Sequence, residues 1–307
     1  MDAALTQNAI VAEVTQGTTP ASPAFKLLRD SRITGSPARS STRSPERRAD
    51  RMAANMVTGL NSFRKSIELP FARDAATDIL WESLLCNAWS TNILRNASTE
   101  KAFTLEQTYE AGANDIRRRL AGCIVDSAAI AFGMDGSPGS LTFNVIGLAE
   151  TMVTALITLS TYAQPSPGYD PVSAVDITVN NAVSVSSPKV MGLNLNIRNN
   201  VREQYAFGSA SPWGTGLGMF DIDGTLQVYF NNMTDYSTYM TRQTGLLLDI
   251  IIGSQASFRD KIELKNVDVW NPDIDDPGQT GDHMVTLNIM ARAFITESSA
   301  ITLTRNV

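Results

Sequence analysis

A mainly β chain that repeats one structural unit is what this 307-residue sequence predicts, and three observations carry the expectation. Apolar residues recur at every second position in run after run, the period of a strand with one buried face. Only residues 74–89 show the periodicity of a helix. One order of elements spans residues 59–148 and recurs across 224–294: a strand, a helical or turn segment, a second strand, an irregular stretch and a final strand.

In the first copy, FRKSIEL (63–69) alternates through Phe63, Ile67 and Leu69. Asp74 is placed to cap a helix reaching Trp89. Its stripe of Ile79, Leu80, Leu84, Leu85 and Ala88 would lie across a sheet, with Trp81 and Trp89 as packing anchors. AFTLEQTY (102–109) alternates through Phe103, Leu105 and Tyr109; the charged RRRL (117–120) leads into a strand around Ile124; LTFNVIGL (141–148) closes the unit. Ahead of the second copy, MGLNLNIR (191–198) puts Met191, Leu193, Leu195 and Ile197 on one face and Gly192, Asn194, Asn196 and Arg198 on the other. The second copy has GTLQVYF (224–230), with Leu226, Val228 and Phe230, and a tyrosine-bearing turn MTDYSTYM (233–240). LLLDIII (246–252) and MVTLNIMARAF (284–294), the latter alternating through Val285, Leu287, Ile289 and Ala291, complete it.

Segments rich in Ser, Thr, Pro and Gly separate these blocks and set the expected boundaries. They are an extended N-terminal arm or loop over 1–50, a first β unit over 51–159, a linker over 160–189 and a second β unit over 190–307.

A hydrophobic content of 43% is enough to bury a core, and no run approaches the roughly 18 apolar residues of a membrane span. The first residues lack a basic segment followed by a long apolar one, so the protein is expected in a cytoplasm before assembly, with no membrane partner. Cys86 and Cys123 sit among apolar residues and read as buried thiols. The single histidine, His283, is expected at a loop end and leaves little scope for histidine chemistry. The net charge of −6 conceals a basic segment: residues 26–51 hold eight Lys/Arg against three Asp/Glu, a local +5 that leaves −11 for the rest. Such a segment can meet nucleic acid, but the alternation of Arg47, Arg48 and Arg51 with Glu46 and Asp50 suits ion pairing within or between subunits.

One motif points to catalysis. FDIDGTL (220–226) matches the nucleophile motif of haloacid dehalogenase phosphatases, with Asp221 as nucleophile, Asp223 as acid/base and Asp273, Asp275 and Asp276 as conceivable metal acids. That chemistry needs the motif at the end of a buried parallel strand in an α/β core. Here a strand follows at once, and Asp223-Gly224 reads as a turn entering it. GTGLG (214–218) reads as a flexible loop, the acidic 273–282 stretch as a solvated hairpin tip, and the triplets headed by Asn96 and Asn232 as chance glycosylation matches.

Longer runs carry a resemblance. TDILWESLLCNAWSTNILRNASTEKAFTLEQTY (77–109), LNLNIRNNVREQYAFGS (193–209), GLGMFDIDGTLQVYF (216–230) and MVTLNIMARAF leading to ITLTR (301–305) resemble the major tail tube protein of long-tailed, siphovirus-type bacteriophages. The resemblance covers about Phe25 to Arg305, with PERRADR (45–51) where that family has an Arg-Asp-Arg segment. It implies a mainly β fold of duplicated tail-tube β-sandwich or barrel units, each with a flanking short helix, plus extended loops. It also implies a structural virion protein with no cofactor and no enzymatic activity, located in the tail. Rings of it stack into the tube through which double-stranded DNA leaves, meeting terminator and tail-tip proteins at the ends. Tubes of six domains per ring make a two-copy chain a trimer with pseudo-sixfold symmetry, or else a hexamer. Arg39, Arg43, Arg47, Arg48, Arg51, Phe207 and Trp213 are the expected contacts between subunits or rings. The alternatives are the phosphatase and a tail-tip β-sandwich binding module that would expose the aromatics of the 205–219 loop.

Overall fold

The computed structural model describes residues 6–29, 32–52, 55–110, 115–133, 139–165, 175–180, 189–229, 237, 240–253, 259–275 and 281–306. The first half contributes β1 (Gln7–Ala12), β2 (Ala24–Leu27), β3 (Arg32–Thr34), β4 (Pro37–Arg43), β5 (Met56–Pro70), α1 (Ala75–Leu85), β6 (Ile93–Arg95), β7 (Phe103–Tyr109), β8 (Ile116–Gly133), β9 (Ser140–Gly147), β10 (Ala149–Val153) and β11 (Thr161–Ala163). The second contributes β12 (Val175–Asn180), β13 (Val190–Arg198), β14 (Arg202–Gln204), β15 (Gly214–Gly216), β16 (Asp221–Tyr229), β17 (Gln243–Ile252), β18 (Asp260–Asp275), β19 (Met284–Ala291) and β20 (Thr302–Arg305). The chain is mainly β, with one helix among the described residues, as the alternation predicted.

Two layers share one strand. The larger layer runs antiparallel from β3 and β4 through β5, β9, β8, β13, β16, β19, β18 and β17 to β12. The smaller is β11, β2, β1, β7, the first half of β8, and β10. β8 passes from one layer to the other near Gly122, whose φ of +69° suits glycine and whose missing Cβ would sit 2.7 Å from Leu148 Cγ. The described pairings never return to their start, so the sandwich expectation holds and a closed barrel does not form within one chain.

Side chains of both layers and both halves meet in one large core that includes Ile10, Phe103, Leu120, Phe143, Leu195, Leu226, Ile262 and Leu287, beside two smaller clusters around Phe25 and Ile124. Each such burial stabilises by about 1.5–3 kcal/mol relative to exposure. The helix lies on this core. Asp74 caps it by accepting from the Ala76 and Thr77 amides at 2.9 and 2.7 Å, and Trp81 meets Phe143 edge-on with centroids 5.5 Å apart.

Several expectations need correcting. The helix ends at Leu85, because Cys86 takes a left-handed conformation (φ 51°) and turns its N–H to Glu82 O; Ala88 is therefore exposed. The arginines of RRRL lie inside β8, which begins at Ile116. The face of β7 opposite the core is not wet, because Thr104, Glu106 and Thr108 are buried too. Residues 1–50, expected as an extended arm, contain β1 and β2, with Ile10 and Phe25 fully buried. The expected linker contains β11 and β12, paired to β2 and β17. The turn at 233–240 lies outside the described residues apart from Ser237 and Met240, as do Phe230 and Asn232.

The pairing pattern of the first half recurs in the second. β5 pairs with β9, β9 with the C-terminal half of β8, and the N-terminal half of β8 with β7. β16, β19, β18 and β17 join in the same order, with the same division of the long strand. Both long strands carry an irregularity opposite the following strand, between Val125 and Ser127 and between Trp270 and Asp273.

Candidate assembly surfaces

The side of the larger layer that faces away from the core is a broad polar surface. Across it Ser140, Ala131, Asn194, Thr225 and Asn288 stand directly opposite one another, strand to strand. The next row holds Thr142, Ala129, Asn196 and Asp223. Most of these side chains are short and neutral. On this face Arg64 is ion-paired to Glu203 and Arg198 to Asp223. Further along β18, Asp268 is only 1% exposed and is held by Arg242 and Arg292. Burial alone would raise its pKa, but the two guanidinium groups outweigh that and keep it below the ordinary carboxylate value.

This surface absorbs the would-be catalytic aspartates. FDIDGTL is not a turn: β16 begins at Asp221 and runs through Gly224, antiparallel to both neighbours. Gly224 is there because a Cβ would approach Asn194 O to 2.1 Å, a close pass of two backbones and not a bend. Asp223 accepts from Asn196 Nδ2 at 3.3 Å and pairs with Arg198, while Asp221 accepts from Asn200 Nδ2 at 3.2 Å. Asp273 and Asp275 lie at the far end of β18, and Asp276 is outside the described residues. No group of three or more His, Cys, Asp or Glu suited to a metal exists among the described residues. Among the described residues no phosphatase site is assembled. GTGLG is likewise partly a strand, β15, and not simply a loop.

The expected contact residues fall into two places. β4 and the start of β5 form a hairpin in which Arg39 stands opposite Asn61 and Arg43 opposite Met56. Every residue of β4 is exposed, and so are Met52, Met56, Val57 and Leu60. Arg47, Arg48 and Arg51 occupy its exposed turn, where Arg48 holds Asp50 at 2.9 Å and thereby lowers its pKa. The second place is the hairpin of β14 and β15, closed by Trp213 N donating to Gln204 O at 2.9 Å. Phe207 at its tip is fully exposed and Trp213 is 66% exposed. The two meet at Asn61: its N–H donates to Ala210 O at 2.8 Å, its Nδ2 to Ser211 Oγ at 3.2 Å, and its carbonyl accepts from Tyr205 OH at 2.7 Å. Arg39 thus neighbours the aromatic hairpin, whereas Arg47, Arg48 and Arg51 lie at the other end of β4.

Sequence reasoning missed the buried ionic cluster behind β7. Glu106 is wholly buried between Arg119 and Tyr162 OH, each at 2.5 Å. Lys65, 4% exposed, reaches Glu150 at 3.0 Å, and Arg118 reaches the same carboxylate. Burial pushes the Lys65 pKa down against the pull of Glu150. Asn96 is structural, accepting at Oδ1 from Ser299 Oγ at 2.8 Å and from the Ala300 amide at 2.7 Å. Both thiols are free and buried; burial, with Glu100 nearby, pushes Cys86 up to about 11, and Cys123 is also raised, chiefly by burial. No helix among the described residues is long and apolar enough to cross a membrane.

In comparisons with known proteins, the family model described as phage tail tube protein matches residues 3–291. No curated protein matches the chain.

Proposed function

The chain belongs to the phage tail tube protein family, a structural family of the virion tail, and from that premise we propose that three copies close a ring whose polar sheet faces line the DNA path. The observation that carries this is the unbroken polar face running through both halves of the chain, on strands whose pairing order repeats. A surface of short neutral and acidic groups with its arginines already paired does not neutralise phosphates, so a duplex slides past it without sticking.

Circumference favours three. Each chain supplies eight strands to this face, counting β3 and β4 as one. Three chains give about 24 strands, which at ~4.8 Å spacing and ~40° tilt enclose a cylinder roughly 48 Å across its backbones. Removing ~10 Å for side chains leaves about 38 Å for a duplex roughly 20 Å wide. Two chains would leave only about 22 Å, too little for a hydrated duplex, and six about 86 Å. The two units of each chain then stand for two of six tube domains. The β4–β5 hairpin and the Phe207 hairpin, displaying Arg39, Arg43, Arg47, Arg48, Arg51, Phe207 and Trp213, make the contacts between subunits and stacked rings. Assembly from the host cytoplasm and capping by terminator and tip proteins complete the siphovirus-type picture.

Mass photometry of purified rings with averaged micrographs tests the stoichiometry. Three chains per ring are expected, and six full-length chains would overturn the trimer.

A further inference from the structure

Resting on the ring just described, we propose that its seam is an antiparallel strand pair between residues 270–275 of one copy and residues 32–38 of the next, Asp275 standing opposite Thr34 and Asp273 opposite Ser36. Inside one chain the two units are already joined by such a seam, where β13 pairs on one side with β16 and on the other with the C-terminal half of β8. The repeat supplies both of its counterparts.

The first counterpart follows from register. Leu193, Asn194 and Ile197 pair with Leu226, Thr225 and Ile222 of β16. Ile33, Thr34 and Pro37 pair with Ile67, Ser66 and Phe63 of β5 at the same offsets. Residues 32–38 are therefore the β13 of the first unit, displaced by no residue. The second follows in the same way. Ala131 pairs with Ser140, the first residue of β9, and Asp275 with Met284, the first residue of β19, so Asp275 corresponds to Ala131 and Asp273 to Ala129. Since Asn194 and Asn196 face Ala131 and Ala129 within the chain, Thr34 and Ser36 should face Asp275 and Asp273 across the seam.

Both edges are open for it. Among the described residues, 270–275 pair only with β19 and 32–38 only with β5. Asn271, Asp273, Ile274 and Asp275 are exposed, as is all of β4. Six strands, β5, β9, β8, β13, β16 and β19, separate the two edges in a sheet whose described pairings do not close, so the occupant of each is a second copy. Charge agrees: the β18 edge carries Asp273 and Asp275, while Arg32 and Arg39 flank the other, Arg32 within diagonal reach of Asp275.

The test combines cross-linking with exchange in the unmodified protein. In rings of the Thr34→Cys, Asp275→Cys double variant, mild oxidation should give covalent multimers on a non-reducing gel. Thr34→Cys with Ile274→Cys, slipped by one residue onto opposite faces, should not. In wild-type rings, backbone amides of 32–38 and 270–275 should exchange at least about 100-fold more slowly than in unassembled chains. Assembled rings without that protection, or equal cross-linking of the slipped pair, would overturn the seam while leaving the ring intact. A chain that never forms rings would instead overturn the tube assignment, and the seam with it.

Discussion

Replacing Gly224 by alanine should destabilise the protein, although alanine in an open strand ordinarily does the opposite. Glycine inside a strand costs roughly 0.5–1 kcal/mol relative to alanine, so an unobstructed glycine gains from the change. At Gly224 the added Cβ would lie 2.1 Å from Asn194 O and 3.1 Å from Leu195 Cα, both backbone atoms of β13. An ordinary contact requires β13 and β16 to part by about 1 Å, and overpacking of that kind costs about 1–3 kcal/mol. Gly192 provides the internal comparison. It lies in the same strand pair, on the opposite, polar face, and its nearest neighbour would be the flexible Gln227 Oε1 at 3.4 Å. Gly192→Ala should be neutral or gain a few tenths of a kcal/mol, and Gly224→Ala should lose about 1–3 kcal/mol, through a lower urea midpoint at unchanged slope. Unassembled protein must be used, so that ring formation does not mask the difference. Equal midpoints for the two variants would refute the close-approach explanation of FDIDGTL and restore the turn.

Three further outcomes are expected. The Asp268 carboxylate has a lowered pKa, so its contribution is present above the unfolded value of about 3.9 and is lost as pH falls through the lower folded value; Asp268→Asn should flatten that part of the urea midpoint's pH profile and lower stability at neutral pH. Glu106→Ala leaves Arg119 without its buried partner and should cost about 3–5 kcal/mol, while adding Arg119→Ala should cost far less than the sum, as a double-mutant cycle by denaturation would measure. Phe207→Ala and Trp213→Ala should leave the unfolding midpoint within about 0.5 kcal/mol, because both rings are exposed, yet shorten the tubes counted in micrographs; normal tubes would remove both residues from the stacking contacts.

How much could be read in advance depended on how local each determinant was. β13, β16 and β19 were legible because one face meets the core and the other stays wet, so their alternation survives intact. The Asp74 cap was legible because cap and helix are neighbours in the chain. β7 misled because the groups that meet its second face, Glu13 and Thr19 at Thr104 and Tyr162 at Glu106, come from distant parts of the chain. Arg117, Arg118 and Arg119 looked like a surface run, since Glu106 and Glu150 that neutralise Arg119 and Arg118 come from other strands. Asp223-Gly224 has the composition of a turn, and only the approach of Asn194 O reveals why a glycine stands there. Of the candidate contact surface, the residue types of Arg39, Phe207 and Trp213 were visible in the sequence, but the meeting of their two hairpins at Asn61 was not.

One strand belonging to two sheets also sets how the molecule responds to force. Layers held together by side-chain contact alone can slide over one another when pushed. Here β8 runs covalently from one layer into the other, and β7, β9, β10 and β13 are all hydrogen-bonded along it. Sliding the layers apart would mean bending that strand at Gly122 and rupturing several ladders together, so bending and shear are shared by the whole molecule instead of escaping at a slip plane.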